Sequence, residues 1–309
     1  MAPTILSKLR GINAHNLQTL KNDPLSELSG SLGDLGTLLP LLIALTLTRS
    51  ISLSATLLFS GLANIITGAF FGIPLPVQPM KAIAAVAISQ SYTKEENAAA
   101  GLFVGGVVFL LSVTGLLRWF GRVVPVAVVR GIQTGAGFSL IISAGTSLLK
   151  PLHWIQPSWS DNWLWACGAF GFLLIASIIP RVPYALVVFL FGLILAGTQI
   201  ATAEGYGSSS VTSDVSRPIL ILPSAEVFRR AAIDAGIPQL PLTTLNSVLA
   251  VTSLSASLFP TFPEAPSTTS LGLSVAIANL VGCWFGAMPV CHGSGGLVSL
   301  RQTSCVFQI

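Results

Sequence analysis

Apolar runs recur along almost the whole chain, at approximately 31–48, 52–72, 76–90, 98–117, 122–148, 163–179, 183–200, 240–259, 268–286 and 289–300. A helix that crosses a bilayer takes roughly 20 apolar residues, so the third and tenth runs are too short to cross as complete helices. Both are broken by the same punctuation, Pro74-Leu75-Pro76-Val77-Gln78-Pro79-Met80-Lys81 early and Met288-Pro289-Val290-Cys291-His292-Gly293-Ser294-Gly295-Gly296 late. Their lead-ins match as well: Asn64 and Phe71-Gly72 precede the first, Asn279 and Phe285-Gly286 the second, and Pro76-Val77 aligns with Pro289-Val290. Interrupted segments at corresponding places in two halves point to a transporter's midplane binding site. Each break is expected to leave a half-helix whose free N–H groups face a bound anion.

The polar stretches divide the rest. Residues 1–27 form a polar, mildly basic segment with Lys8, Arg10 and Lys21 and no long apolar core, so an amphipathic surface helix is expected there rather than a cleaved secretory signal. The first repeat then covers 28–200, a polar connector 201–239, a partial second repeat 240–300 and a divergent tail 301–309. Within the connector, Ser224 is an N-cap candidate for a short helix after Pro223. Lys8, Arg10, Lys21, Arg118, Arg122, Arg181 and Arg301 outnumber Arg49, Lys94 and Lys150 on the opposite side, which favours a cytoplasmic N-terminus.

Composition narrows the class. Of 309 residues, 52% are hydrophobic and only 8% charged, against about 25% charged in soluble domains, and the mean hydropathy is +0.80. A multi-pass protein of the plasma membrane or an internal, vacuolar-type membrane is expected. The four cysteines, Cys167, Cys283, Cys291 and Cys305, have no paired spacing and indicate neither a disulfide framework nor a zinc site. No cofactor is expected. The net charge of +4 is scattered and gives no nucleic-acid footprint.

Three long motifs resemble a known family. Leu28-Ser29-Gly30-Ser31-Leu32-Gly33-Asp34-Leu35-Gly36-Thr37-Leu38-Leu39-Pro40, Gly72 to Ala82 across the first break, and Gly286 to Leu297 across the second are similar, in that order, to the molybdate transporter family related to the sulfate permeases. Gly131-Ile132-Gln133-Thr134-Gly135 and Pro238-Gln239-Leu240-Pro241-Leu242-Thr243-Thr244 also fit. The resemblance implies an all-α polytopic membrane protein with a seven-plus-seven inverted-repeat fold, secondary active transport of molybdate or a related oxyanion such as sulfate, and a homodimer as partner state. It stops after Gly296-Leu297-Val298, so the second repeat is expected to be incomplete; a non-functional truncated copy is the alternative reading.

Individual residues carry the expected site. Lys81 sits just inside the third run, and a charge at the bilayer centre costs about 2.5–3.5 kcal/mol on insertion scales, which a dianionic ligand would repay. Gln78 is an oxyanion donor or a satisfier of backbone broken at Pro79. Cys291, His292, Gly293 and Ser294 come from the second break, with Thr37 and Gln133 as further uncharged donors. Asp34 couples a proton, pairs with Lys81 or caps a helix. His292, alone among the histidines in an apolar run, either titrates or bonds a carbonyl. Arg130 has an interfacial or paired role, with anion ligation as the alternative. The Gly-x-x-x-Gly spacings Gly68–Gly72, Gly101–Gly105 and Gly131–Gly135 read as close helix packing. An intramembrane serine protease is disfavoured, because Ser294 lacks a glycine two positions earlier and no later helix supplies a histidine; no His-Glu-x-x-His pair marks a zinc enzyme. Rings of like charge that would indicate a channel are missing too.

Overall fold

The computed structural model describes residues 5–294 except 23, 33–34, 74, 124, 126, 128–129, 132–133, 136, 139–140, 143–144, 151, 155–158, 160–161, 180–183, 203–219 and 260–265. Short polar side chains start its helices. Ser52 accepts from the Ala55 N–H at 3.5 Å, Asn162 from Trp165 at 3.2 Å, Ser224 from Val227 at 3.4 Å and Ser267 from Ser270 at 3.1 Å. Thr93 and Glu96 close a reciprocal capping box. Each satisfies an orphan first-turn N–H and fixes where an apolar run enters its helix.

Chain order gives α1 (Ile5–Asn22), α2 (Pro24–Ser31), α3 (Leu35–Leu47), α4 (Leu53–Phe71), the short strand β1 (Val77–Pro79), α5 (Lys81–Ser89), α6 (Lys94–Val113) and α7 (Leu117–Val123). A π turn (Gly145–Leu149), α8 (Trp163–Ile178) and α9 (Tyr184–Thr202) follow. Next come α10 (Ala225–Ala231), a π segment (Ala232–Gly236), α11 (Ile237–Leu242), a second π segment (Thr243–Ala250) and α12 (Val251–Leu258). The last described elements are α13 (Thr268–Gly282), a 3-10 turn (Cys283–Phe285) and β2 (Val290–His292). Among the described residues three helical stretches, Leu53–Phe71, Lys94–Val113 and Thr268–Phe285, are long and apolar enough to cross a membrane. The 122–148 run is described only in part, with 124, 126, 128–129, 132–133, 136, 139–140 and 143–144 outside the described residues.

The run expected to start at 240 begins as helix at Ala225. Its first turns are amphipathic rather than apolar: Arg230 lies 3.7 Å from both Glu96 and Asp234 at the surface while Ala231 and Ala235 are buried. A scan for apolar length misses such an extension. The helix then absorbs Pro238 and Pro241 next to its π segments, a device frequent at functional sites.

One core unites these pieces. Leu45, Met80, Ile83, Ala99, Val104, Ala235, Val275 and Val290 belong to a single buried cluster. The packing of α6 on α13 is the most extensive helix contact, and glycines set its closeness. A Cβ on Gly101 would fall 2.5 Å from Cys283 Sγ and 2.7 Å from Pro289 Cγ, and one on Gly105 3.1 Å from Asn279 Cβ. That pair does serve helix packing. Around Gly131 and Gly135 no described atom lies within 4 Å of a built Cβ, so close packing there is not among the described contacts. Leu58, Ile65 and Ile66 of α4 face outward, as lipid-facing positions do in a bundle whose polar groups turn inward.

Candidate functional site

The two breaks meet. β1 and β2 pair antiparallel with Val77 opposite His292, Gln78 opposite Cys291 and Pro79 opposite Val290. Met80 N–H donates to Pro289 O at 2.8 Å, and Gly293 N–H to Pro76 O at 3.0 Å. Shifting one bond by a constant sequence offset yields the other, so a local two-fold axis passes through the Gln78–Cys291 pair. Each strand is entered through a left-handed glycine closing the preceding helix or turn, Gly72 at φ 66° and Gly286 at φ 72°, a conformation that glycine adopts without strain.

The outward edges of this ribbon are held by matched asparagines. Val77 N–H donates to Asn64 Oδ1 at 2.9 Å, and Val290 N–H to Asn279 Oδ1 at 2.8 Å. Asn279 also donates through Nδ2 to Val290 O at 2.6 Å. A three-residue ribbon has no neighbouring strand, so without these side chains its buried edge groups would be unpaired. The polar face of α4, with Thr56, Ser60, Asn64 and Thr67 buried, leads to this clamp, and Thr56 Oγ1 accepts from Met288 N–H at 3.0 Å.

At the ribbon's end α5 begins. Its cap residue Met80 makes no side-chain capping bond, and its first turn holds no acidic residue but opens with Lys81, which is exposed and has no carboxylate partner among the described residues. A cation beside the positive end of a helix is unfavourable, and a bound anion would relieve it. Gln78 is 5% exposed, with its amide packed on Gly293: a Cβ there would lie 2.6 Å from Nε2. Ala82 N–H, in the first turn of α5, donates to Gln239 Oε1 at 2.9 Å, and Gln239 Nε2 donates to Thr243 Oγ1 at 3.0 Å. The site therefore brings together Gln78, Lys81, the first turn of α5 and Gln239, with Gly293, whose own N–H donates to Pro76 O, leaving room for the Gln78 amide.

Other expected residues fall elsewhere. His292 is buried and turns to Ser274 of α13, with Nε2 3.1 Å from its Oγ, and meets Phe71 edge-on at 6.5 Å between ring centroids. There it borders an apolar cavity of about 500 Å³ between α4 and α13. Cys291 is half-buried at the centre of the ribbon, and Ser294 is half-buried one residue past Gly293. Thr37 belongs to α3, while Asp34 and Gln133 lie outside the described residues. Arg130 is exposed. Thr244 bonds back to Leu240 O at 2.8 Å and acts locally. Gln239 was missed as a site residue, although an amide between two prolines in an apolar context was the available signal.

Paired discontinuous segments meeting on a two-fold axis inside an apolar helical bundle define a polytopic, inverted-repeat membrane transporter. The fold agrees with that of the murine Solute Carrier 26 family member A9 anion transporter in its inward-facing state, at a TM-score of 0.57 and 14% identity over 92% of this chain and 54% of that one. The chain thus spans about half the length of that structure. A family described as Molybdate transporter of MFS superfamily matches residues 26–140 and 231–306. Molybdate transporter 1 of Arabidopsis thaliana is 36% identical over 92% of this chain and 69% of its own length. For Molybdate transporter 2 of the same plant the figures are 36%, 90% and 67%, and for Molybdate transporter 1 of Chlamydomonas reinhardtii 33%, 89% and 72%. The chain belongs to the molybdate transporter family, and it is an integral membrane protein of the transporter class rather than an enzyme.

Proposed function

We propose that this protein carries molybdate across a membrane by secondary active transport, and that the oxyanion binds where β1 and β2 cross, against the first turn of α5 and the amide of Gln78. The observation that carries the reading is the two-fold ribbon, which brings both breaks to one point while α5 starts there with Lys81 and no acidic residue. A helix N-terminus contributes about 0.3–2 kcal/mol toward an anion, and a hydrogen bond from Gln78 to a charged oxygen about 1.5–3 kcal/mol. Micromolar binding takes about 8 kcal/mol, so several of these donors must act together, with Lys81 and Ser294 completing the set and Gly293 giving the Gln78 amide its room. Thr37 and Gln133 are proposed as outer donors. Cys291 and His292 support the ribbon, and Asp34 serves as the proton-coupling or capping carboxylate. The homodimer belongs to the same proposal and is tested by the mass of the detergent-purified species.

Radiolabelled molybdate and sulfate uptake by vesicles reconstituted with the 309-residue chain is the test. Saturable molybdate uptake that excess unlabelled molybdate abolishes is expected. Uptake of sulfate with molybdate excluded would reassign the substrate, and equal counts in protein-free vesicles would contradict transport by this chain.

A further inference from the structure

We infer that Gln239 is a specificity-determining residue that works as an amide switch: its carbonyl plugs the first turn of α5 when the site is empty, and the amide turns over to donate Nε2–H to a bound oxyanion. This rests on the placement of the oxyanion proposed above. Gln239 and Thr243 are 1% and 0% exposed, so neither amide end is matched by bulk water. The Ala82 N–H only donates, and it therefore selects the Oε1 end of Gln239, which it reaches at 2.9 Å. The other end donates to Thr243 Oγ1 at 3.0 Å.

An oxyanion only accepts. It competes with Oε1 for the Ala82 N–H, and the two acceptors repel when placed together. Rotation about the last torsion of a glutamine is soft and nearly two-fold, so the amide can exchange its ends with little change in shape. Thr243 fits both states because a hydroxyl accepts in one and donates in the other. After the turn, Ala82 N–H and Gln239 Nε2–H both point at the ligand, and a tetrahedral anion has enough acceptor oxygens to take both. The turn has no value for a ligand that presents donors, and the switch therefore selects anions that offer at least two acceptor oxygens over ligands that donate. The two π segments flanking Ile237–Leu242 place this side chain at the α5 terminus, between Pro238 and Pro241.

Gln239→Glu and the uncharged Gln239→Met together separate the lost donor from the repulsion that an added carboxylate exerts on an anion. Glutamate keeps shape and acceptor toward the Ala82 N–H but cannot donate when ionised. Molybdate binding by isothermal titration calorimetry on the purified full chain is expected to weaken at least tenfold at pH 8, with the thermal midpoint at or above that of the parent. Gln239→Met, isosteric without either hydrogen-bonding function, is expected to lose affinity by a similar factor, and deuterium exchange across residues 81–84 in the empty protein is expected to accelerate. Parental affinity in Gln239→Glu overturns the switch, as does unchanged exchange in Gln239→Met. A parent that binds no molybdate in the same assay instead overturns the oxyanion reading on which the switch stands.

Discussion

Asn279→Ala removes the side chain that holds the outer edge of β2. Asn279 is 1% exposed and pairs both polar groups of Val290, whose N–H donates to Oδ1 at 2.8 Å and whose C=O accepts from Nδ2 at 2.6 Å. Its counterpart Asn64 pairs only the Val77 N–H at the ribbon, at 2.9 Å, and spends Nδ2 on Ser60 O within α4. A buried group left unpaired costs about 1–3 kcal/mol. Two such groups cost about 2–6 kcal/mol after Asn279→Ala, and one costs about 1–3 kcal/mol after Asn64→Ala. The sign of the difference follows from the hydrogen-bond count rather than from side-chain volume, which the two substitutions share. Reversible SDS unfolding in mixed micelles, followed by circular dichroism, measures both against the parent. The reasoning is refuted if Asn64→Ala is the more damaging, or if both variants stay within about 0.5 kcal/mol of the parent, the range of an inconsequential surface change.

Other outcomes follow from the same geometry. Gly101→Ala pushes a methyl onto Cys283 and Pro289 and is expected to cost about 1–3 kcal/mol in that unfolding assay, whereas Gly106→Ala, where a Cβ meets nothing within 4 Å, is expected to be neutral or stabilising. Gln78→Ala is expected to weaken molybdate binding about tenfold or more, since it removes a hydrogen bond to a charged oxygen, and Lys81→Met to weaken it in the same direction; calorimetric affinities equal to the parent's in both would move the site away from the ribbon. Tyr92, between α5 and α6, is pushed up to about 12 by burial and by the Asp234 and Glu96 carboxylates, against the opposing Arg230. Its neutral form is the one folding favours, so stability is expected to hold below pH 10 and to fall between pH 10 and 12. Tyr92→Phe is expected to abolish that fall at no cost near neutrality, because the hydroxyl is buried without a hydrogen-bond partner among the described residues.

The repeat could be read from the chain because its signals are local and chemical. Gly72 and Gly286 need left-handed backbone, Pro76 and Pro289 stop a helix, and Asn64 and Asn279 recur at nearly the same distance before them. The structure brings the two breaks together antiparallel, with Pro76-Val77 and Pro289-Val290 as two-fold equivalents at opposite ends of one ribbon, Val77 facing His292 and Val290 facing Pro79. What the chain withheld is long-range. Three-residue strands carry no detectable period, so an all-α expectation omits β1 and β2. The role of Gln239 depends on a contact with Ala82 across 157 positions. His292 stands in the right motif, yet strand alternation aims successive side chains at opposite faces, and it lies against Ser274 and Phe71. Nor can Gly-x-x-x-Gly spacing name the partner helix: for Gly101 and Gly105 it is α13, which lies far along the chain.

The central claim is that a tetrahedral oxyanion sits where the two broken segments cross. A crystal of the protein grown with molybdate, measured with X-rays at the molybdenum absorption edge, locates the metal of the substrate by anomalous difference density without interpretation of the surrounding chain. The account predicts one dominant peak at the first turn of α5, with the oxyanion's oxygens in hydrogen-bonding reach of the Gln78 amide and the Ala82 N–H. A dominant peak in the apolar cavity beside His292, or next to Arg130, with the α5 terminus empty, would contradict it.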